Sequence, residues 1–380
     1  MKPGFRPRYL ISQVTEDLTD KMVFIGGPRQ VGKTSLSLSI AADHTPDYSG
    51  YFNWDVASHR KTLMSGELPA DVPLLICDEI HKFKHWRGMI KGLYDTRHHK
   101  QKIIVTGSAR LDYYRRSGDS LQGRYHYLRL HPFSFTELGS DDAVETLLKF
   151  GGFPEPLFKQ KEAFWRRWQI ERNERLVRED IRELERVHEL SLLELLVDLL
   201  PQRVGSPLSV RSLREDLQVA HETVERWIQI LERLYFCYRI PPYGAPKIRA
   251  VKKEQKIYMW DWSLVPNEGG ARFENLVAGQ LLKFCHFQED TLGYRMELRY
   301  LRDIDGREID FVVMQNKKPI FAVECKSGEK APSKHLAYFK ERTNIPEFFQ
   351  VHRGEKDFID GKSGARVMPF ATFCRQLKMP

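Results

Sequence analysis

Long apolar runs are missing from this sequence. None of its 380 residues falls in an uninterrupted apolar stretch of about 18 or more, which excludes a membrane-spanning helix of ordinary length. The opening Met1-Lys2-Pro3-Gly4-Phe5 lacks the apolar core of a secretory signal, so the expected setting is the cytoplasm, with no membrane partner. Cysteine is sparse. Cys77, Cys237, Cys285, Cys325 and Cys374 are scattered and form no Cys-x-x-Cys pair. That argues against a disulfide scaffold and a zinc site and for a reducing compartment. Internal repeats and low-complexity tracts are also absent.

What is present is ordinary for a folded soluble chain, with 41% hydrophobic and 29% charged residues. The length suggests two or three domains. A net charge of +9 permits contact with nucleic acid without demonstrating it. The charge is dispersed, with a modest concentration in Lys247-Ile248-Arg249-Ala250-Val251-Lys252-Lys253.

Three regions follow from the patterning. Residues 1–150 alternate strand-like and helix-like segments: apolar runs at 22–25, 73–77 and 102–106, and a helix-compatible stretch at 35–42. This order predicts an α/β layer with a parallel sheet. Residues 151–262 read as helical. A turn at Gly151-Gly152-Phe153-Pro154 opens a long charged periodic stretch, broken into two or more helices, that two prolines and a glycine end within 201–207. The segments 209–217 and 221–238 then have helix–turn–helix spacing, and the β-rich residues 256–262 suit a following wing. Residues 263–380 combine a helix at 273–284 with two strands, 308–314 and 319–326, joined by a short turn.

The chemistry begins in the first region. Gly27, Pro28, Arg29, Gln30, Val31, Gly32, Lys33 and Thr34 match GxxxxGK[ST] between an apolar strand and a helix. Glycines let the loop curl so that backbone N–H groups face phosphates, and the helix start adds its positive end. Lys33 is placed for the β- and γ-phosphates and Thr34 for Mg²⁺. Leu74-Leu75-Ile76-Cys77-Asp78-Glu79 supplies a second strand, expected beside the P-loop strand. Asp78 would hold the Mg²⁺ through water, and Glu79 would polarise the attacking water. Ser108, after a third strand, is a candidate γ-phosphate sensor. Arg124 is a candidate arginine finger acting on the nucleotide of a neighbouring subunit, which implies a homo-oligomer.

GPRQVGKT, LLICDEIHK, VTGSAR, LQGRYHYLRLHPFSFTEL and GGFPEP occur here in the order seen in a large archaeal and bacterial ATPase family. The chain resembles that family, which is related to the STAND-like branch of AAA ATPases. The resemblance implies an AAA-type P-loop ATPase domain, a helical lid with a winged helix, and a C-terminal α/β domain similar to the restriction-endonuclease fold. Glu179-Asp180-Ile181 matches an acidic-Ile pair in the long helix, and Phe273-Glu274-Asn275 opens the nuclease-like part.

The last region carries its own chemical signature. Asp310 lies on one predicted strand, and Glu324-Cys325-Lys326 on the other, with Glu324 and Lys326 two apart and on one face. Carboxylates from adjacent strands are suited to Mg²⁺, and Lys326 to charge developing on a phosphodiester. The resemblance adds Glu274, so the expected metal ligands there are Glu274, Asp310 and Glu324. In the winged helix, Glu222 and Glu225 near the start of the recognition helix oppose phosphate contact. The resulting expectation is an ATP- and Mg²⁺-dependent machine that controls a C-terminal DNA-binding or DNA-cleaving module. The alternative is a nucleotide switch whose C-terminal domain is a catalytically inactive protein-interaction scaffold.

Overall fold

The computed structural model describes residues 6–41, 45–107, 121–140, 142–181, 189–244, 254–267 and 270–380. The chain divides into two compact units, Met1–Pro132 and Phe133–Pro380. The first contains helix α1 (Ile11–Asp17), strand β1 (Met22–Gly26), α2 (Lys33–Ile40), β2 (Tyr51–Asn53), α3 (Ala57–Ser65), β3 (Leu74–Asp78), α4 (Trp86–Arg97), β4 (Lys102–Thr106) and β5 (Tyr125–Arg129). The five strands form one parallel sheet in the order β2-β3-β4-β1-β5. All five residues of β1 and of β3 are buried, as strands covered on both faces require.

This order corrects one expectation. The Asp78 strand is not beside the P-loop strand; β4 lies between them, paired with β1 on one side and β3 on the other. Strand order depends on crossovers that local patterning does not record. Two short strands, β2 and β5, were not read from the sequence at all.

The second unit begins with α5 (Phe135–Leu138), α6 (Ala143–Phe150), α7 (Pro154–Lys159) and α8 (Glu162–Arg175). Thus residues 133–150 belong with the C-terminal unit rather than with the P-loop unit. A π-helical turn, Leu176–Asp180, continues α8 through the Glu179-Asp180 pair. Next come α9 (Leu190–Leu199), α10 (Val210–Leu217) and α11 (His221–Arg233), then β6 (Cys237–Ile240) and β7 (Lys256–Met259), which form a two-stranded antiparallel ribbon. Ser209 starts α10 by accepting from the Ser212 N–H. In α11, Val224, Trp227, Ile228 and Leu231 make a buried stripe at helical spacing. The helix ends before the expected 238, and Tyr235 takes a left-handed φ of 57° on the way into β6.

The rest is α12 (Ala271–Leu292), β8 (Met296–Arg302), β9 (Glu308–Gln315), β10 (Lys318–Lys326), α13 (Lys334–Arg342), β11 (Phe348–His352), β12 (Phe358–Ile359), β13 (Arg366–Pro369) and α14 (Phe370–Gln376). Its six-stranded sheet runs β12-β13-β11-β10-β9-β8. The expected β9–β10 hairpin is present. Its turn is Asn316-Lys317, both at positive φ (50° and 67°), as a type I′ hairpin needs. One apolar core joins Leu213 and Trp227 of the helical part to Tyr258 of the ribbon and to Leu276, Phe311 and Val323 of the sheet part. The expected boundary at 262 is therefore not a break in packing. Among the described residues no helix is long and apolar enough to cross a membrane.

Candidate functional site

The P-loop leaves the carboxyl end of β1. Gly27 has a φ of 141°, and a Cβ there would lie 2.3 Å from the Leu130 carbonyl oxygen, so only glycine fits. Gly32, at φ 98°, caps the start of α2. Lys33 is buried and donates to the carbonyls of Gly27 (3.0 Å) and Pro28 (2.7 Å), drawing the loop into a ring. Phosphate oxygens are the natural replacements for those carbonyls. A residue that sequence reasoning missed secures the loop from behind: buried Arg8 donates to the carbonyls of Val31 (2.8 Å) and His131.

Asp78 is the hub. Its carboxylate accepts from Thr34 Oγ1 (2.8 Å), from Tyr51 Oη (2.8 Å) and from Thr106 Oγ1. Parallel pairing sets Asn53 and Thr106 level with Asp78, which explains why β2 and β4 reach this point. Tyr51 was not read from the sequence, since it sits in no recognisable motif, and Thr106, within the VTGSAR string, was given no role there. Burial, then the Asp78 charge, pushes the Tyr51 phenol well up, so it stays a donor.

Glu79 follows in a left-handed conformation, φ 55° and ψ 20°, with its N–H donated to the Thr106 carbonyl. A non-glycine residue in that region stores about 1–3 kcal/mol. Its buried Oε2 accepts no hydrogen bond and lies 3.5 Å from His81 Nε2. Burial chiefly raises its carboxyl above the usual range, opposed by Lys33. The hydroxyl of Thr34 against the Asp78 carboxylate, the glycine cradle and this orphaned oxygen all fit Mg²⁺ with a triphosphate.

Arg124 lies at the other end of the sheet. Its carbonyl accepts from Met22 N–H at the start of β1, and its guanidinium pairs with Asp95 through Nε at 2.7 Å. The five residues of β1 separate it from the P-loop, about 16 Å at strand rise, so it cannot serve the nucleotide of its own subunit. Ser108 and the basic segment 247–253 lie outside the described residues.

The C-terminal acids do come together. Val323 and Phe311 are cross-strand partners, so the next residues, Glu324 and Asp310, project from one face of the hairpin. Lys326 donates to Glu324 Oε1 at 2.6 Å, and the Cys325 N–H donates to Asp310 Oδ2 at 2.7 Å. Glu274, on α12, joins them. Burial first, then the charge of Asp310, pushes the carboxyls of Glu274 and Glu324 up.

The expected Mg²⁺ site is nevertheless corrected. The ammonium of Lys256, on ribbon strand β7, is fully buried and lies 3.2 Å from Glu274, 3.8 Å from Asp310 and in closer contact with Glu308. Burial alone would lower its pKa; Glu274, Asp310 and Glu308 together drive it up instead. Arg302 also pairs with Glu308, at 3.0 Å. Four carboxylates therefore face the three cations Lys256, Arg302 and Lys326. Among the described residues no three His, Cys, Asp or Glu side chains are arranged to hold a metal ion. Glu274 and Asp310 do not fit Mg²⁺ here because Lys256 already offsets their charge, and Glu324 is paired with Lys326.

The N-terminal unit is an AAA-type P-loop domain. Residues 19–139 match a family model described as an AAA domain. Residues 141–270 and 269–373 match two models described as domains of unknown function, DUF8612 and DUF4143. Among curated proteins the chain is similar to the uncharacterized protein MJ1637 of Methanocaldococcus jannaschii, 24% identical over 87% of this chain and 80% of its relative's length. It is also similar to the uncharacterized protein Rv2008c of Mycobacterium tuberculosis, 23% identical over 81% and 73%. The Thermotoga maritima RuvB Holliday junction branch migration motor aligns with a TM-score of 0.32 at 16% identity, covering 62% of this chain and 91% of its own. The Aeropyrum pernix ORC1 protein in complex with DNA gives 0.34 at 12%, covering 74% and 94%. Structural likeness this loose carries no argument.

Proposed function

We propose that this chain hydrolyses ATP at the P-loop and uses its nucleotide state to control a DNA-binding C-terminal unit. The observation that carries the ATPase half is the Thr34–Asp78 hydrogen bond, 2.8 Å across two strands and a helix, with Glu79 strained into place beside it. When bound, Mg²⁺ would neutralise charge on the phosphates. Thr34 and Asp78 would hold it, and Lys33 would exchange its loop carbonyls for β- and γ-phosphate oxygens. Glu79 would orient and deprotonate the attacking water through its unbonded oxygen. Arg124 would leave Asp95 and complete the site of a neighbouring copy, and Ser108 would sense the γ-phosphate.

The helix–turn–helix α10–α11 followed by the β6–β7 ribbon supports a winged-helix reading. The helix, three-stranded antiparallel meander, second helix and parallel strand of α12–β11 support a restriction-endonuclease-like one. Fold alone does not bring chemistry with it. Lys256 favours a C-terminal body that binds without metal-dependent cleavage.

ATP turnover with and without duplex, branched and single-stranded DNA tests the proposal. Turnover rises on DNA, and binding weakens steeply with salt because phosphate contacts release counterions. Charge reversal at Lys252 and Lys253 weakens binding for all sequences alike. Failure to bind any of these DNAs at low salt would transfer the C-terminal unit to the scaffold reading.

A further inference from the structure

The Phe273-Glu274-Asn275 sequence does something other than hold a metal. Glu274 Oε1 accepts from Lys256 Nζ (3.2 Å) and from Tyr258 Oη (2.7 Å). Asn275 pairs both ends of its buried amide with the backbone of Met259, at 2.8 Å each. All three partners lie on β7. Phe273 packs into the same core. Adjacent chain is fastened to the sheet as well: the Tyr243 N–H donates to the Tyr300 carbonyl, the Tyr300 N–H to the Pro241 carbonyl, and Tyr300 Oη to the Glu254 carbonyl. The helix carrying the first acid is thus bolted along its first turn to the ribbon carrying the lysine.

We infer that Lys256 is the resident cation of the Glu274–Glu308–Asp310 cluster, and that the cluster is a joint fixing the ribbon to the sheet rather than a divalent-metal site. A fully buried ammonium among three carboxylates already supplies the positive charge a divalent ion would bring, and a metal brought there would meet the repulsion of Lys256 at close range. Glu324 shows what the joint leaves over. It is buried, its Oε1 is taken by Lys326, and its Oε2 has no hydrogen-bond partner. With Lys256 gone, Glu274 and Asp310 lose the cation that offsets them and, with this unbonded oxygen nearby, are left with an uncompensated negative charge. The inference deepens the restriction-endonuclease-like reading proposed for the C-terminal unit and rests on it: on that reading, the charge site of the fold has been closed from within.

Binding of Mn²⁺ to the full-length chain without nucleotide, read by the electron paramagnetic resonance signal of free Mn²⁺, is the test. The wild type is expected to show no site that depends on Asp310, so that wild type and Asp310→Asn give the same curve. Lys256→Met is expected to gain a site at least tenfold tighter than any in the wild type, lost again in Lys256→Met/Asp310→Asn. A wild-type Mn²⁺ site abolished by Asp310→Asn would overturn the inference, as would a folded Lys256→Met chain that gains none. Should Lys256→Met not fold, the wild-type comparison decides alone. DNA binding measured on the same wild-type protein separates this outcome from failure of the DNA reading, since the joint holds with or without DNA contact.

Discussion

Tyr51→Phe isolates a contact that no motif announces. The substitution removes one hydroxyl and keeps the ring, which packs edge-on against His59. What is lost is a 2.8 Å hydrogen bond to a buried carboxylate oxygen, Asp78 Oδ2, and the 3.2 Å bond that Asn53 Nδ2 donates to the phenol oxygen. A hydrogen bond to a charged group contributes about 1.5–3 kcal/mol. Asp78 keeps Thr34 and Thr106, so the lower end applies, about 1.5 kcal/mol. In a unit of this size that corresponds to a fall in melting temperature of about 4–6 °C. If the same amount is expressed in the transition state, through an Asp78 no longer held in place, turnover slows about tenfold. ATP affinity, which rests on Lys33 and the loop, stays put. Phosphate release at saturating ATP, nucleotide titration and thermal melting read the three quantities. Tyr48→Phe is the control, because Tyr48 donates to the Leu74 carbonyl on the same edge without touching Asp78; it should lower stability and leave turnover alone. Equal slowing in both variants, or wild-type turnover in Tyr51→Phe, would refute the reasoning.

Gly27→Ala should abolish nucleotide binding and lower the melting temperature of the N-terminal unit, because the added Cβ meets the Leu130 carbonyl at 2.3 Å; calorimetric titration with ATP checks it. Arg124→Ala should cut turnover while leaving nucleotide affinity intact, and wild-type turnover per subunit should rise with protein concentration; a monomer of constant specific activity would contradict the trans role. Asn275→Ala should destabilise the C-terminal unit by about 2–5 kcal/mol, since it strands both backbone groups of Met259 in the core, without altering ATP affinity; denaturant unfolding measures it.

The P-loop was legible because its chemistry demands fixed residue types at fixed spacing within a strand–loop–helix unit. Asp78 and Glu79 were legible for the same reason, and the β9–β10 hairpin because two β-rich runs flank a short turn. What failed was long-range. Nothing near Leu74 tells that β4 would pair between β3 and β1. Tyr51 reaches Asp78 from a three-residue strand too short to show a period. Lys256 stands 18 residues before Glu274 on a different element, so a search for acids with metal-ligand spacing could not include it. The unit boundary moved to 133 because Phe133 and Phe135 bury themselves in the helical core, although they continue the LQGRYHYLRLHPFSFTEL string that begins in the P-loop unit.

Phosphate release by the wild type, Lys33→Ala and Glu79→Gln, each paired with a nucleotide-affinity measurement, tests the central claim most directly. The account predicts Mg²⁺-dependent turnover in the wild type. It predicts loss of nucleotide affinity in Lys33→Ala, and in Glu79→Gln retained affinity with turnover reduced about a hundredfold or more. Wild-type turnover in the Lys33→Ala protein would contradict it.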